Sequence, residues 1–392
     1  MVNFEYYTPT KVIFGKNAEE KTGELVKAQG CKKVLVHYGG NSAKRSGLLD
    51  RICKSLEKAG IDFVTLGGVV PNPHLGKVHE GIALCKKEGV DFILAVGGGS
   101  VIDSGKAIGY GVANEGEVWD FYAKTRVPKA CLPIGAVLTI AAAGSEMSNS
   151  SVITNEDGWL KRGYNDDICR CRFAVMNPEL TYTLPVYQTA SGCVDIMMHT
   201  MERYFTKETD TALTDGIGEA LIRTVMQSAR ILKKNPENYD ARAQVMWAGS
   251  LSHNGLTGCG TVGDWASHQL EHELGGMFDV AHGAGLAAVW GSWARYVYKE
   301  KPERFAQFAV NVMGVANDDF HPEKTALEGI KRMEEFYHAI DMPVSIHELG
   351  VDLTEEQIQE LAYKCSFMDK RTIGQFKVLN RQDIENIYRM AK

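Results

Sequence analysis

The two halves of the chain differ in how apolar and polar residues alternate. Up to about Leu184, short apolar runs rich in β-branched residues alternate with stretches whose apolar residues recur at helical spacing. The predicted strands are 33–38, 62–66, 91–96 and 172–177, and the predicted helices are 44–59, 75–88 and 100–110. This alternation indicates an α/β fold, in which a mostly parallel sheet carries helices on both faces.

Beyond Pro185 the strand signal disappears and long helical patterns follow, down to the final segment 381–392. We therefore predict an α/β domain over 1–184 and an all-helical domain over 185–392. Neither a low-complexity segment nor a repeat of about 20 to 50 residues interrupts this organisation.

Composition narrows the possible partners and the compartment. The formal net charge of -6 is mild and gives no reason to expect nucleic acid or an anionic membrane. The longest apolar runs are far shorter than a membrane span, and the N-terminus lacks a cationic segment followed by an apolar one. Nine cysteines without framework spacing indicate reduced thiols, so we expect a cytoplasmic protein in which Cys169 and Cys171 are structural.

A glycine-rich loop follows one predicted strand directly. Gly97-Gly98-Gly99-Ser100 joins the strand 91–96 to the helix 100–110, and backbone N–H groups at such a helix start attract phosphate. The G-x-G-x-x-G fingerprint fails at Ile102, and a P-loop fails at Ser104. A tight strand–helix turn that needs small residues explains the same glycines, so the loop alone leaves both interpretations open.

The second half contains a stronger pattern of candidate metal ligands. Asp195 and His199 are four residues apart, as are His268 and His272, so a helix places each pair on one face. His282 follows ten residues after His272. Imidazole and carboxylate together suit a borderline ion such as Fe²⁺ or Zn²⁺. Any one histidine is more often a structural residue, whereas the joint pattern indicates a site; the zinc-protease motif H-E-x-x-H fails at Gly276.

At this point the chain resembles a known family. The segments PNP, GGGSVID, TYTLP, DIMMH, GDWASHQLEHEL and AHGAGLA, which follow in this order from residue 71 to residue 287, are similar to those of the iron-containing alcohol dehydrogenases. Within that family the chain is most similar to the NADPH-dependent butanol dehydrogenase branch. The resemblance implies the dehydroquinate-synthase-like fold of this family, a homodimer, and hydride transfer between NADP(H) and a short- to medium-chain alcohol or aldehyde such as butanol or butanal.

The resemblance also implies roles for individual residues. It places the metal ligands at Asp195, His199, His268 and His282, with His272 beside the substrate as our candidate proton relay or, alternatively, a hydrogen-bond partner of the ligands. It implies cofactor contacts at a set of residues in the first domain: Asn72, Gly98, Gly99, Ser100, Asp103, Thr139, Lys161 and Tyr182.

Two positions depart from the family pattern. Ala143 stands where a second threonine usually contacts the cofactor, so one hydrogen bond is expected to be missing. Asn41 replaces a glycine of the usual YGGGS turn, and we expect the turn to persist because asparagine tolerates positive φ.

The cofactor preference is predicted from that same turn. Gly39, Gly40, Asn41 and Ser42 follow the strand 33–38 with no carboxylate before Asp50, whereas NAD-specific sites usually place an acidic residue near the ribose 2′-hydroxyl. Small residues leave room for a 2′-phosphate, and Lys44 or Arg45 adds positive charge. The turn therefore predicts NADP(H).

Other functions remain open at this level. A glycerol-dehydrogenase-like polyol enzyme or a dehydroquinate-synthase-like lyase belongs to the same superfamily. A non-catalytic nucleotide-binding scaffold would keep the fold without the chemistry, although the complete set of metal ligands argues against it.

Overall fold

The computed structural model describes all 392 residues, and their contacts divide the chain into two compact units. One unit is Tyr7–Leu184, and the other combines Met1–Tyr6 with Pro185–Lys392. The division between Leu184 and Pro185 coincides with the change in sequence pattern. The first six residues, however, belong to the C-terminal unit and not to the expected domain 1–184.

The N-terminal residues join the C-terminal unit through specific contacts. The backbone N–H of Val2 donates to the carbonyl of Gly260 at 3.0 Å, and Asn254 donates to the Tyr6 hydroxyl at 3.4 Å. The Tyr6 ring also lies against Gly255. The first six residues form no helix or strand, so the hydrophobic pattern of the sequence could not predict these contacts.

The unit Tyr7–Leu184 is built on a six-stranded parallel sheet in the order β1-β8-β5-β4-β2-β3. Strands β6 and β7 form a separate antiparallel hairpin. The strands are β1 (Lys11–Phe14), β2 (Lys33–Tyr38), β3 (Asp62–Leu66), β4 (Phe92–Gly97), β5 (Ile134–Leu138), β6 (Ser150–Asn155), β7 (Leu160–Asn165) and β8 (Phe173–Met176).

The helices of this unit are α1 (Thr22–Lys27), α2 (Ser42–Arg45), α3 (Leu48–Ala59), α4 (Leu75–Glu88), α5 (Gly99–Ala113) and α6 (Trp119–Tyr122). The predicted helix 44–59 is therefore two helices. Gly47, with φ of 68°, separates them because a left-handed residue ends the first helix. The other two predicted helices form close to their expected bounds.

The core of this unit explains the apolar runs of the sequence. All six residues of β4 are buried, as expected for a central parallel strand. Val34, Leu94 and Val96 belong to the same buried cluster as Leu48 and Ile52 of α3. Burial of each of these apolar side chains stabilises the fold by roughly 1.5–3 kcal/mol. The apolar residues of the strands therefore determine where α3 packs.

The C-terminal unit is helical, as predicted. Its helices are α7 (Val186–Tyr204), α8 (Ala212–Lys234), α9 (Tyr239–His253), α10 (Ala266–Phe278), α11 (His282–Val297), α12 (Pro302–Asn311), α13 (Pro322–Ala339), α14 (Glu355–Cys365) and α15 (Arg381–Ala391). Trp290 and Trp293 of α11 are fully buried, and the ring of Phe205 stacks on that of Phe305 at 4.3 Å. None of the helices combines the length and apolar composition that crossing a bilayer would require.

All nine cysteines are free thiols. Cys169 closes the 3-10 helix Asp167–Cys169 and Cys171 precedes β8, so the pair does not lie on one strand; both are buried. Burial raises the pKa of the Cys171 thiol to about 12, which suits an inert structural residue.

Candidate functional site

Three helices of the C-terminal unit carry the predicted metal ligands. Asp195 and His199 lie one turn apart on α7, His268 lies on the first turn of α10, and His282 is the first residue of α11. Asp195, His199 and His268 are buried, and His282 is about one quarter exposed. The structure therefore brings all four residues into one cluster.

Two glycines let these helices approach closely enough. A side chain at Gly283 would lie 1.9 Å from the backbone carbonyl oxygen of Ser191 on α7, so α11 begins in direct contact with that helix. A side chain at Gly285 would lie 2.9 Å from Glu271 of α10. The motif AHGAGLA thus positions His282 because its glycines have no side chains that would keep the three helices apart.

One carboxylate oxygen forms the centre of the cluster. Asp195 Oδ1 lies 3.3 Å from His199 Nδ1, 3.7 Å from His268 Nε2 and 3.6 Å from His282 Nε2. Bonds of about 2.0–2.2 Å to one ion place its ligand atoms roughly 3–3.5 Å apart. The ligand atoms of Asp195, His268 and His282 all lie within 4.8 Å of one another, which is close to the dimensions of a metal coordination shell, and His199 adjoins this group through Asp195.

The chemistry of these atoms also fits a metal. Asp195 Oδ1, His199 Nδ1 and His268 Nε2 are buried polar atoms with no hydrogen-bond partner in the chain. Such atoms cost roughly 1–3 kcal/mol each unless another group satisfies them. Three imidazoles and one carboxylate are a donor set that divalent iron or zinc accepts.

Two further carboxylates hold the histidine rings in place. Glu202 Oε1 accepts from Nδ1 of His268 at 3.0 Å and from its backbone N–H at 2.9 Å, and Glu271 accepts from Nδ1 of His282. Because a carboxylate only accepts, Nδ1 carries the proton and Nε2 is left to bind a metal. The sequence analysis missed both residues, although Glu202 and Glu271 each lie three residues after a predicted ligand.

The ligand rings have opposite electrostatic surroundings. Burial, with the neighbouring rings of His253 and His268, holds the pKa of His199 well below its ordinary value. Burial also lowers the pKa of His268, but the charges of Asp195 and Glu202 outweigh it and raise this pKa to about 9. The same two carboxylates that attract a proton to this ring also attract a divalent cation.

Aromatic and cationic groups enclose one side of the cluster. The rings of His199 and His253 have their centroids 4.0 Å apart, and the Trp265 ring lies 5.4 Å from that of His268. Trp265 has φ of 65°, which is rare for a bulky residue, and the guanidinium of Arg203 lies 4.5 Å from the centre of its ring. Sequence spacing gave no signal for His253, because it reaches the cluster from α9.

His272 is expected beside the substrate, and Cys259 lies nine residues before His268 in the sequence. The His272 ring centroid lies 5.9 Å from that of His282 and 6.4 Å from that of His268. His272 is therefore next to the ligand rings, on the same helix as His268. Cys259 is only partly buried, yet burial raises the pKa of its thiol, which lowers the fraction of reactive thiolate.

In the N-terminal unit, the predicted cofactor residues follow the carboxyl ends of neighbouring strands. Gly39–Ser42 follow β2, the glycine loop follows β4, Thr139 follows β5, and Tyr182 comes after β8. Strands β2 and β4 are adjacent, and the chain leaves them toward opposite edges of the sheet. A crevice at such a position is where open parallel sheets usually bind nucleotides.

The glycine loop is a tightly packed turn between a strand and a helix. A side chain at Gly97 would lie 2.4 Å from Val101, and one at Gly98 would lie 3.0 Å from Ile140, so tight packing needs glycine here. The loop also forms the start of α5, where the N–H groups of Val101 and Ile102 donate to the Gly98 carbonyl at 3.1 Å and those of Gly99 and Ser100 precede the first helical hydrogen bond. The N–H groups of Gly99 and Ser100 are therefore the ones that a phosphate would use.

The hairpin β6–β7 brings two more predicted residues together. The N–H of Thr154 donates to the carbonyl of Pro73 at 2.8 Å, beside Asn72, and Thr154 pairs with Lys161 in the hairpin register. Asn72 and Lys161 are both buried. Asp103 is engaged inside the chain, since its carboxylate accepts from Ser145 and from the N–H of Val152.

The turn after β2 differs from the expectation in its backbone. Asn41 has φ of -83° and precedes α2, so this position does not need the left-handed conformation that a glycine would favour. The Lys44 ammonium lies 5.3 Å from the centre of the Tyr38 ring. A side chain added at Gly40 would meet no atom within 4 Å, so the turn has open space.

Comparisons with known proteins agree with this geometry. The family model described as "Iron-containing alcohol dehydrogenase" matches residues 9–178, and the model "Fe-containing alcohol dehydrogenase family, C-terminal" matches residues 189–392. The chain therefore belongs to the iron-containing alcohol dehydrogenase family.

Individual relatives are similar over most or all of their length. The chain is 41% identical to the "Probable NADH-dependent butanol dehydrogenase 1" of Bacillus subtilis, with 100% of both chains covered. It is 35% identical to the "NADPH-dependent aldehyde reductase YqhD" of Escherichia coli over 90% of both chains. The crystal structure of an NADH-dependent butanol dehydrogenase A from Thermotoga maritima matches with a TM-score of 0.96 at 37% identity, over 100% of this chain and 99% of the other.

Family membership makes the protein an oxidoreductase of the alcohol dehydrogenase type, and the family implies a nicotinamide cofactor and iron. The butanol dehydrogenases among these relatives are named NADH-dependent, not NADPH-dependent as the sequence analysis expected of that branch, whereas the aldehyde reductase is named NADPH-dependent. The names therefore do not decide between the two cofactors for this chain.

Proposed function

We propose that the protein reduces short- to medium-chain aldehydes such as butanal with NADPH, and oxidises the matching primary alcohols, at a divalent metal held by Asp195, His199, His268 and His282. The observation that carries the proposal is the position of Asp195 Oδ1, with a nitrogen of each of the three histidines 3.3–3.7 Å away.

The chain's own residues prepare this site for the reaction. When bound, the nicotinamide supplies the hydride and the metal supplies a Lewis acid for the substrate oxygen. Glu202 and Glu271 hold the rings of His268 and His282 with Nε2 directed at the carboxylate of Asp195. This fixed orientation removes the cost of reorganising the ligands during the reaction.

We further propose that His272 delivers a proton to the substrate oxygen. The support is its place on α10, one turn beyond His268, with its ring 5.9 Å from that of His282. The alternative is that His272 only supports the ligand rings through hydrogen bonds. A ring nitrogen that moves a proton would give the rate a pH dependence that His272→Asn abolishes, whereas a supporting residue would leave the pH profile unchanged.

We propose iron as the metal in the cell, and zinc as an ion that the same side chains would accept. Three nitrogens and one oxygen suit both ions, and intrinsic affinity favours Zn²⁺ over Fe²⁺. The family description favours iron. Metal analysis of protein purified without oxygen decides between them.

The proposed preference for NADPH rests on the turn after β2. Gly39, Gly40, Asn41 and Ser42 carry no carboxylate to repel a 2′-phosphate, and open space surrounds Gly40. Lys44 and Arg45 follow on α2, so the turn is bordered by positive charge. Hydrogen bonds to charged groups contribute on the order of 1.5–3 kcal/mol, enough for at least about a tenfold preference in kcat/KM.

The proposed function is tested by following absorbance at 340 nm with iron-loaded protein. NADPH and NADH are each combined with butanal, and NADP⁺ and NAD⁺ with butanol or glycerol. Rapid turnover of butanal with NADPH is the expected result. Oxidation of glycerol with no reduction of butanal would indicate a polyol dehydrogenase. If no pair of cofactor and substrate reacts, the protein would be a non-catalytic scaffold. Light scattering on the same sample tests the expected homodimer.

A further inference from the structure

A buried lysine lies behind the glycine loop and takes no part in the chemistry described above. Lys106 is on α5, two turns beyond the loop, and its side chain is fully buried. Its ammonium donates to the carbonyl oxygens of Ser145, Ser148 and Ser150 at 2.7, 3.0 and 2.8 Å. An ammonium has three N–H groups, so these three carbonyls match its full donor capacity.

The three carbonyls belong to one segment, residues 144–150, which leads from β5 into β6: residues 144–149 are irregular, and Ser150 is the first residue of β6. Backbone carbonyls that are buried in such a segment need partners outside regular secondary structure. The hydroxyls of Ser145 and Ser148 lie somewhat farther from the ammonium, at 3.2 and 3.4 Å. The segment therefore folds around the Lys106 ammonium, which replaces the hydrogen bonds of a helix or strand.

Asp103, one turn before Lys106, ties the same segment to α5. Its carboxylate accepts from the Ser145 hydroxyl and from the N–H of Val152 at 2.9 Å, and its backbone carbonyl accepts from the Ser151 hydroxyl at 2.9 Å. A cation and an anion on one face of α5 thus hold the segment at Ser145 and at its junction with β6. Charge-assisted hydrogen bonds of this kind are the strongest available to a buried loop.

The segment continues directly from the strip 139–143, which packs against the glycine loop. Thr139 donates its N–H to the carbonyl of Gly97 at 3.0 Å. A side chain at Gly99 would lie 2.8 Å from the Cβ of Ala143, so the Ala143 side chain packs directly on the glycine loop. A shift of residues 144–150 would therefore move the strip that borders the expected phosphate site.

We propose that Lys106 is a positioning residue for the nicotinamide cofactor: it anchors residues 144–150 and thereby keeps the strip 139–143 in place against the glycine loop. This proposal rests on the proposed function, because it assumes that the glycine loop binds the cofactor. Lys106 acts through the backbone of the segment and does not itself touch the cofactor.

The test compares Lys106→Met with wild type and with Lys86→Met, which changes an exposed lysine of the same unit. NADPH and NADH are titrated into iron-loaded protein by calorimetry, and the melting temperature and iron content are measured on the same samples. We expect Lys106→Met to raise the Kd of the cofactor at least about tenfold, or about 1.4 kcal/mol. Its iron content should stay at the wild-type level, its KM for the cofactor should rise more than its kcat falls, and Lys86→Met should match wild type.

The proposal would be overturned if folded Lys106→Met protein bound the cofactor with the wild-type Kd. It would also be overturned if cofactor binding decreased only in proportion to the loss of folded, iron-containing protein. If Lys106→Met does not fold, Ser145→Ala decides by the same criteria, since it removes a hydroxyl that bonds both Asp103 and Lys106. Wild-type protein that binds neither NADPH nor NADH would overturn the proposed function itself, and this inference with it.

Discussion

Replacing Glu271 by glutamine should weaken metal binding without removing any metal ligand. Glu271 is fully buried, and its carboxylate accepts the Nδ1 proton of His282. Glutamine keeps the size of the side chain but removes the negative charge. It also allows an amide N–H to face the ring, in which case the ring rotates or changes tautomer.

The size of the effect follows from the position of the carboxylate. Loss of a residue that orients a metal ligand typically lowers metal affinity by about 10- to 100-fold, which corresponds to about 1.4–2.7 kcal/mol. Solvent cannot replace the lost charge at a side chain with 0% exposure. We therefore expect Glu271→Gln to fall in the upper part of that range.

The assay is competition between the protein and a chelator for Fe²⁺ under anaerobic conditions, with Zn²⁺ measured in parallel. Glu219→Gln is the matched control, because Glu219 is also buried in the C-terminal unit but accepts from Tyr204 and Asn311 at 2.8 Å each. Both variants should fold, and only Glu271→Gln should lose affinity. Equal metal affinity in Glu271→Gln and wild type would refute the role assigned to this carboxylate.

Three further predictions concern the pH dependence of stability, the cofactor preference and the core of the helical unit. Burial lowers the pKa of His37 to about 4 from 6.5, so its contribution to stability is complete above pH 6.5 and is lost as pH falls toward 4. Between pH 7 and pH 4, the free energy of unfolding measured with a chemical denaturant should fall by about 3 kcal/mol less for His37→Asn than for wild type. An equal decrease in the two proteins would contradict this assignment. Gly40→Asp adds a carboxylate in open space, so the ratio of kcat/KM for NADPH over NADH should fall at least about tenfold; an unchanged ratio would exclude this turn as the determinant. Asp215→Ala leaves the buried Arg304 without its two 2.6 Å bonds and should cost about 3–5 kcal/mol in urea unfolding, whereas a loss below about 1 kcal/mol would show that the pair is not critical.

The arrangement of elements along the chain was largely predictable, because buried parallel strands and amphipathic helices have distinct apolar periods. The apolar run near residues 91–96 became β4, and the helical pattern 75–88 became α4 with the same bounds. Strands β1 and β5 and the hairpin β6–β7 were missed, although Asp157-Gly158 is a turn signal with Gly158 at φ of 81°. The order of strands in the sheet depends on contacts between distant residues, which no local pattern contains.

The sequence predicts the residues of the candidate metal site that lie one turn apart on the same helix. It does not predict the neighbours that come from separate helices. Asp195 and His199 form a pair on one helix, which the spacing of four residues indicates. His253 reaches His199 from α9, and the left-handed backbone of Trp265 depends on packing against the Arg203 side chain and the histidine rings. These features are set by tertiary contacts, so only the structure reveals them.

The central claim is that Asp195, His199, His268 and His282 hold the metal on which activity depends. The most direct measurement is iron per chain, together with reduction of butanal by NADPH, for wild type and His268→Ala purified without oxygen. His338→Ala is the control, since His338 is an exposed histidine paired with Glu348. The account predicts about one iron per chain in wild type and in the control, and loss of most iron and nearly all activity in a folded His268→Ala protein. Full iron content with wild-type activity in His268→Ala would contradict it.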